Sequence, residues 1–170
     1  AMRKEGRPYT GVLFAGLMIT QEGPKVIEYN CRFGDPETQV VLPLFDGDLA
    51  DLTYKASTAG FDSNGILPVK NTHCLCLVLA SGGYPGKYQT GFEITGLEKA
   101  QKTAEIVHAG TKISGGKTVT SGGRVLNVVC TGNTLKEAKG SAYTAASLIE
   151  FEGKYRRTDI GDKGIRHYEN

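Results

Sequence analysis

The stretch VIEYNCRFGDPE (residues 26–37) constrains this chain more than any other. It sets an acid, an amide and a guanidinium into a run with the alternation of a strand, then breaks that run at Gly-Asp-Pro. Successive side chains of a strand leave opposite faces. Glu28 and Asn30 therefore share one face, with Cα atoms about 6.5–7 Å apart, while Ile27 and Tyr29 take the other face, toward a core. Arg32 joins the polar face if the strand continues. A carboxylate and an amide oxygen converging from one strand suit Mg²⁺, a hard cation that keeps waters and takes its other ligands from phosphates. The planar fork of Arg32 suits a phosphoryl group or a carboxylate. A solvated strand face is the competing reading of Glu-x-Asn, and spacing alone leaves both open.

Beyond the strand, Gly34 relaxes the backbone, and Asp35-Pro36 reads as a helix start with Asp as N-cap and Pro at the first helical position. The free N–H groups of such a start attract anions. Asp35 and Glu37 offset that attraction for a bare phosphate, so the loop suits an amine or hydroxyls better. The helix carries Val40, Val41 and Leu44, and Pro43 ends or kinks it. DLADLTYKASTAG (48–60) fits a second helix, begun near Asp48 and stopped at Gly60. Upstream, GVLFAGLMIT (11–20), a turn at Gln21-Glu22-Gly23-Pro24 and KVIEYNCRF (25–33) form a strand pair.

FDSNGILPVKN (61–71) is rich in turn formers and marks a boundary between a unit at 1–70 and an α+β domain at 71–170. In the second part HCLCLVLA (73–80), EIVHAGTKI (105–113), KTVT (117–120) and RVLNVVCTG (124–132) read as strands. TLKE (134–137) is a capping box, and the helix it opens runs to about Ile149 with Ala138, Ala142, Ala145, Ala146 and Ile149 as its packing stripe. The polar tail (151–170) reads as a short strand or coil. GGYPG (82–86) follows a strand but precedes no helix signal, so it reads as a rigid turn rather than a phosphate loop. SGGR (121–124) likewise reads as a tight turn, from which Arg124 is a candidate to approach a cleft. His108 and His167 have no partner at a recognisable catalytic spacing, and Lys154, Arg156 and Arg157 read as solvated surface.

Composition removes several function classes. At 39% apolar, 170 residues can bury the core of one medium domain or two small ones. A net charge of +2 gives no electrostatic reason to expect nucleic acid or an anionic membrane as partner. No apolar run approaches the ~20 residues of a membrane span, and AMRKEGRPYTG lacks the apolar centre of a signal peptide. HCLC (73–76) looks like a metal-ligand set, yet alternation sends Cys74 and Cys76 to one face and His73 to the other. Buried thiols are the reading kept, and cysteines without disulfide spacing suit a reducing cytosol.

GVLFAGLM, followed by KVIEYNCRFGDPETQVVLPL, resembles the end of the ATP-grasp domain of the glycinamide ribonucleotide synthetases. The Asn-Cys-Arg-Phe-Gly-Asp-Pro-Glu run is the most specific part of that likeness. ASGGYPGKYQTGFEITGL, then VHAGT and TSGGRVLNVV, resemble the C-terminal domain of the same family in the same order. The likeness covers most of the chain.

The resemblance implies an α+β fold: the C-terminal portion of an ATP-grasp domain at 1–70, with antiparallel strands and following helices, then a small α+β C-terminal domain at 71–170. It implies a cytoplasmic, ATP-dependent carbon–nitrogen ligase of de novo purine synthesis, which joins glycine to 5-phosphoribosylamine through glycyl phosphate and releases ADP and phosphate. On this likeness Glu28 and Asn30 are Mg²⁺ or Mn²⁺ ligands toward the phosphates of ATP. Arg32 is the catalytic group that steadies the phosphoryl group or acyl phosphate, and Gly34, Asp35 and Glu37 line the substrate side. The chain departs from the pattern in FAGLM (14–18), which has no acid where many ATP-grasp enzymes carry a further metal ligand. It also lacks a glycine-rich phosphate loop and paired lid lysines. The expectation is a fragment, inactive alone, whose missing N-terminal part holds the phosphoribosylamine-binding domain and the lid over ATP. Two other readings stay open: another ATP-grasp carboxylate–amine ligase, and a non-catalytic assembly module of the same fold. The Arg-Phe-Gly-Asp-Pro-Glu run speaks against the first, and the presence of Glu28, Asn30 and Arg32 together against the second.

Overall fold

Residues 2–58 and 66–169 are described by a computed structural model. Two compact units segregate along the chain: Ala1–Thr38 with Phe45–Lys70, and Gln39–Leu44 with Asn71–Asn170.

In the first unit β1 (Phe14–Thr20) and β2 (Gly23–Asn30) pair antiparallel. Gly23 makes their tight connection possible with a φ of 100°, which a residue bearing a Cβ rarely adopts. Phe14 sits opposite Asn30 and Gly16 opposite Glu28. The register then slips between Gly16 and Leu17, so Leu17 faces Val26 and Ile27 has no cross-strand partner. Ile27 and Tyr29 do not enter a core as alternation suggested; they are 63% and 61% exposed. Alternation fixes the face a side chain takes, not whether anything covers that face, and a two-stranded sheet has no second layer of its own.

α1 (Thr38–Leu44) begins two residues after the expected first helical position, Pro36. The Asp35–Pro36 bond is cis, residues 35–37 form a turn, and Gly34 O accepts bonds from both the Thr38 amide (3.1 Å) and its hydroxyl. Asp35 is therefore not an N-cap, and no helix N-terminus opens at 35–37. Pro43 falls one residue before the end of α1, as its missing N–H and ring clash require of a stop. α2 (Leu49–Ser57) is capped by Asp48, whose carboxylate accepts from the amides of Ala50 (2.8 Å) and Asp51 (3.1 Å). The stop expected at Gly60 lies outside the described residues.

Besides Gln39–Leu44 of α1, the second unit runs β3 (His73–Ser81), α3 (Leu97–Ala100), β4 (Glu105–His108), β5 (Thr111–Ser114), β6 (Lys117–Thr120), β7 (Arg124–Gly132), α4 (Leu135–Leu148), β8 (Lys154–Tyr155) and α5 (Asp162–Glu169). An antiparallel sheet in the order β4-β7-β3-β8 packs against α4. Thr134 caps α4 by accepting from Glu137 N (3.1 Å), and Glu137 reaches back to Asn133 N (2.9 Å), one residue before the usual partner of a capping box. Ala138, Ala142, Ala145, Ala146 and Ile149 are all fully buried against Leu75, Leu77, Leu79, Leu126 and Val128. Small alanines let the helix approach closely, and each fully buried leucine contributes about 1.5–3 kcal/mol. EIVHAGTKI breaks into β4 and β5 because Gly110 packs backbone to backbone on Gly122: a Cβ there would stand 2.6 Å from Gly122 Cα. β5 and β6 close over Gly115–Gly116, both at positive φ, as a two-residue hairpin turn demands.

The tail corrects the expectation of strand or coil. A two-residue strand is followed by the eight-residue α5. Gly161 and Gly164 are close-approach residues: added Cβ atoms would lie 2.8 Å from Leu75 Cδ1 and 2.7 Å from Leu135 Cδ2. Nor is the basic cluster simply solvated. Lys154 Nζ bonds the carbonyls of Ala146 and Ile149, and Arg156 donates to Tyr143 O (3.2 Å) while lying over that ring.

Candidate functional site

The end of β2 brings Glu28 and Asn30 together on one face. Asn30 Nδ2 donates to Glu28 Oε1 at 3.0 Å, which leaves Glu28 Oε2 and Asn30 Oδ1 as the donor oxygens of the pair. Both side chains are within reach of solvent. Gly16 contributes by having no side chain, since a Cβ at 16 would crowd Glu28 Cγ at 3.1 Å. Sequence reading passes over it because only the cross-strand register sets it against Glu28.

Strand geometry does not carry Arg32 onto that face. β2 ends at Asn30, and the exposed Arg32 donates through Nη1 to the neighbouring Phe33 O at 2.8 Å. Arg32 leaves irregular backbone two residues beyond Asn30, so alternation does not fix its direction. Gly34 is buried beneath the side chain of Glu37, and a Cβ there would meet Glu37 Cβ at 3.0 Å and overlap Oε2. Asp35 is exposed in the turn, while Glu37 is half-buried.

The donor chemistry fits a small hard cation. Among the described residues no three His, Cys, Asp or Glu side chains cluster as a metal cage. A carboxylate plus one amide oxygen is the kind of partial shell that Mg²⁺ completes with waters and substrate phosphates.

In the second unit the thiols behave as core groups. Cys76 Sγ faces Asn127 Oδ1 at 3.8 Å and Cys130 Sγ faces Thr103 O at 3.8 Å. Burial, with the charges of Cys130 and Glu105 adding to it, pushes the Cys74 thiol up from 9.0 to about 11. His73 packs edge-on against Tyr168 instead of joining these sulfurs. The GGYPG run is a turn in which Tyr84 N bonds Ser81 O (3.1 Å) and Gly83 takes a φ of 94°. It borders an open cleft of about 340 Å³ lined by Lys87, Tyr88, Phe92 and Glu152. His108 Nδ1 meets the hydroxyl of Thr111 at 2.9 Å.

Residues 74–163, more than half of the chain, match the family described as phosphoribosylglycinamide synthetase, C domain. The chain belongs to the phosphoribosylglycinamide synthetase family. Residues 1–38 match the ATP-grasp (A) domain of the same synthetase, so the Glu28–Asn30 pair lies within that domain's match. The phosphoribosylamine–glycine ligase of Caldanaerobacter subterraneus subsp. tengcongensis is 51% identical over 94% of this chain and 38% of its own length. The trifunctional purine biosynthetic protein adenosine-3 of Gallus gallus is 47% identical over 96% of this chain and 16% of its own. The crystal structure of phosphoribosylamine–glycine ligase from Thermotoga maritima superposes with a TM-score of 0.80 at 38% identity, over 94% of this chain and 39% of that one. The chain thus spans well under half the length of the synthetases it matches. Its fold is the α+β arrangement of the family's ATP-grasp and C domains.

Proposed function

We propose that this chain is the C-terminal portion of a phosphoribosylamine–glycine ligase. In the whole enzyme it would supply part of the ATP-grasp site and the C domain for joining glycine to 5-phosphoribosylamine at the expense of ATP. The observation that carries this reading is the Glu28–Asn30 pair, hydrogen-bonded at 3.0 Å and open to solvent at the end of β2, inside the ATP-grasp match. Glu28 and Asn30 would hold Mg²⁺ or Mn²⁺. When bound, the cation neutralises phosphate charge and orients the γ-phosphoryl group of ATP.

The chain's own residues have the following parts. Glu28 offers a full negative charge, and the Asn30 amide adds an oxygen without a second charge, so the pair attracts a cation without repelling the nucleotide twice over. Arg32 steadies the phosphoryl group in flight and then glycyl phosphate, whose carbonyl the amine of phosphoribosylamine attacks with loss of phosphate. Gly34, Asp35 and Glu37 line the substrate side, where two carboxylates favour an amine over a bare phosphate. Residues 1–70 form the ATP-grasp portion and 71–170 the C-terminal domain. A cytoplasmic setting suits the four free thiols.

The partial length of the chain and the exposed apolar face of the hairpin, with Leu17, Ile19, Val26 and Tyr29 all at least half exposed, support a piece that needs the rest of the enzyme. In the full-length enzyme Glu28→Ala should reduce ATP-dependent ligation at least 10³-fold, by about 4 kcal/mol or more of transition-state stabilisation, with an unchanged melting temperature. Turnover close to wild type would overturn the assignment. The 170-residue chain alone, given ATP, glycine and phosphoribosylamine, should release no ADP.

A further inference from the structure

Gly16 stands directly across β1–β2 from Glu28. A Cβ added at Gly16 would lie 3.1 Å from Glu28 Cγ and 3.6 Å from Glu28 O. The stem of Glu28 therefore borders the space that a side chain at 16 would claim and would be crowded by it. The register slip falls beside this pair, between Gly16 and Leu17. Without it, simple alternation would put Val26 on the face of Glu28. With it, Val26 pairs with Leu17, on the face opposite Gly16, and the carboxylate rises without an apolar neighbour at that position. A bulge is a recurrent device for re-aiming one side chain beside a working site.

We propose that Gly16 is a positioning residue of the Glu28–Asn30 cation site: its missing side chain is the slot against which the Glu28 stem lies, and that slot sets the carboxylate against the Asn30 amide. The inference rests on Glu28 and Asn30 being the cation ligands. Mg²⁺ demands near-octahedral oxygens at about 2.0–2.1 Å. Ligand distances in a working metal site hold to about 0.2 Å. At 3.1 Å an alanine Cβ makes the Glu28 stem give by a few tenths of an ångström, a shift comparable to that tolerance. A valine leaves the stem no room in its present rotamer. Unlike a ligand substitution, both changes keep every donor atom and disturb only its aim.

The test uses the full-length enzyme with Gly16→Ala, Gly16→Val and Glu28→Gln. Binding of Mn²⁺ in the presence of a non-hydrolysable ATP analogue is followed by electron paramagnetic resonance of the free ion. Two further readouts are the Mg²⁺ concentration for half-maximal ADP formation and the melting temperature without metal. Gly16→Ala should weaken Mn²⁺ binding about 10-fold and Gly16→Val about 100-fold, the range seen when a ligand's support is removed. Half-maximal Mg²⁺ should rise in parallel, excess Mg²⁺ should recover turnover of the alanine variant, and metal-free melting should hold. Wild-type Mn²⁺ binding by both Gly16 variants, with binding lost in Glu28→Gln, would sink the role of Gly16 and leave the ligand reading standing. Unchanged binding in Glu28→Gln would sink both. Loss of binding in Gly16→Val alone, accompanied by a lower metal-free melting temperature, would reduce Gly16 to a structural residue and refute the proposal.

Discussion

Lys154→Met should destabilise the second unit by about 2 kcal/mol, and the structure supplies the terms. The Lys154 side chain is only 15% exposed, and its Nζ bonds the carbonyls of Ile149 and, at 3.5 Å, Ala146, at the C-terminal end of α4. These carbonyls have no intrahelical donor left, and the negative end of the helix dipole adds to their attraction for a cation. A hydrogen bond to a charged group is worth about 1.5–3 kcal/mol net. The accompanying ion pair to Glu150 Oε1 at 2.7 Å counts for little, at most about 0.5 kcal/mol, because the Glu150 side chain is 64% exposed. Methionine keeps the apolar stem and removes only the donors. For a unit of roughly 100 residues, 2 kcal/mol corresponds to about 8–16 °C of melting temperature. Thermal unfolding followed by far-ultraviolet circular dichroism at pH 7 reads this directly, with Glu150→Gln measured alongside. A loss of under about 0.5 kcal/mol in Lys154→Met would refute carbonyl capture. An equal loss in Glu150→Gln would show that the ion pair, not the helix end, is what Lys154 stabilises.

Three further outcomes follow from the geometry. Gly96→Ala should cost more than about 3 kcal/mol: Gly96 has a φ of 79°, and an added Cβ would overlap Leu148 O, a backbone atom that cannot swing aside; an unchanged urea midpoint would contradict this. With its thiol at about 11, Cys74 is about one part in a thousand thiolate at pH 8, so alkylation mapped by mass spectrometry should find the exposed Cys31 modified first, and equal labelling would contradict the burial argument. Because the folded value lies above the ordinary 9.0, the fold prefers the protonated thiol; stability should fall as pH rises from about 9 through about 11, and Cys74→Ser should flatten that decline.

Sequence carried most of the second unit because its signals are local and redundant. The Thr134 cap and the alanine stripe of α4 each need only a few adjacent residues to be decided, and each formed as read. Misreadings cluster where a glycine or proline acts across space. The polar tail read as strand or coil, yet Gly161 and Gly164 let α5 approach Leu75 and Leu135. Asp35-Pro36 spoke locally for a helix start, whereas the chain turns there and the helix waits for Thr38. Lys154 looked like solvent-facing charge because the carbonyls it bonds belong to a helix five and eight residues back.

The candidate site divides along the same line. Glu28 and Asn30 were legible because a strand places positions two apart on one face, and no distant contact is needed for the two side chains to meet. The same rule failed for Arg32, since β2 stops at Asn30 and alternation has no authority beyond the last paired residue. It failed differently for Ile27 and Tyr29, whose face is set by the strand but whose exposure depends on what else packs there. Gly16 could not be read at all, because its part is defined by a partner twelve residues away and by a slip in the ladder between them. A motif names the atoms that can do chemistry; the register decides where those atoms point, and in this hairpin one hydrogen atom in place of a side chain carries that decision.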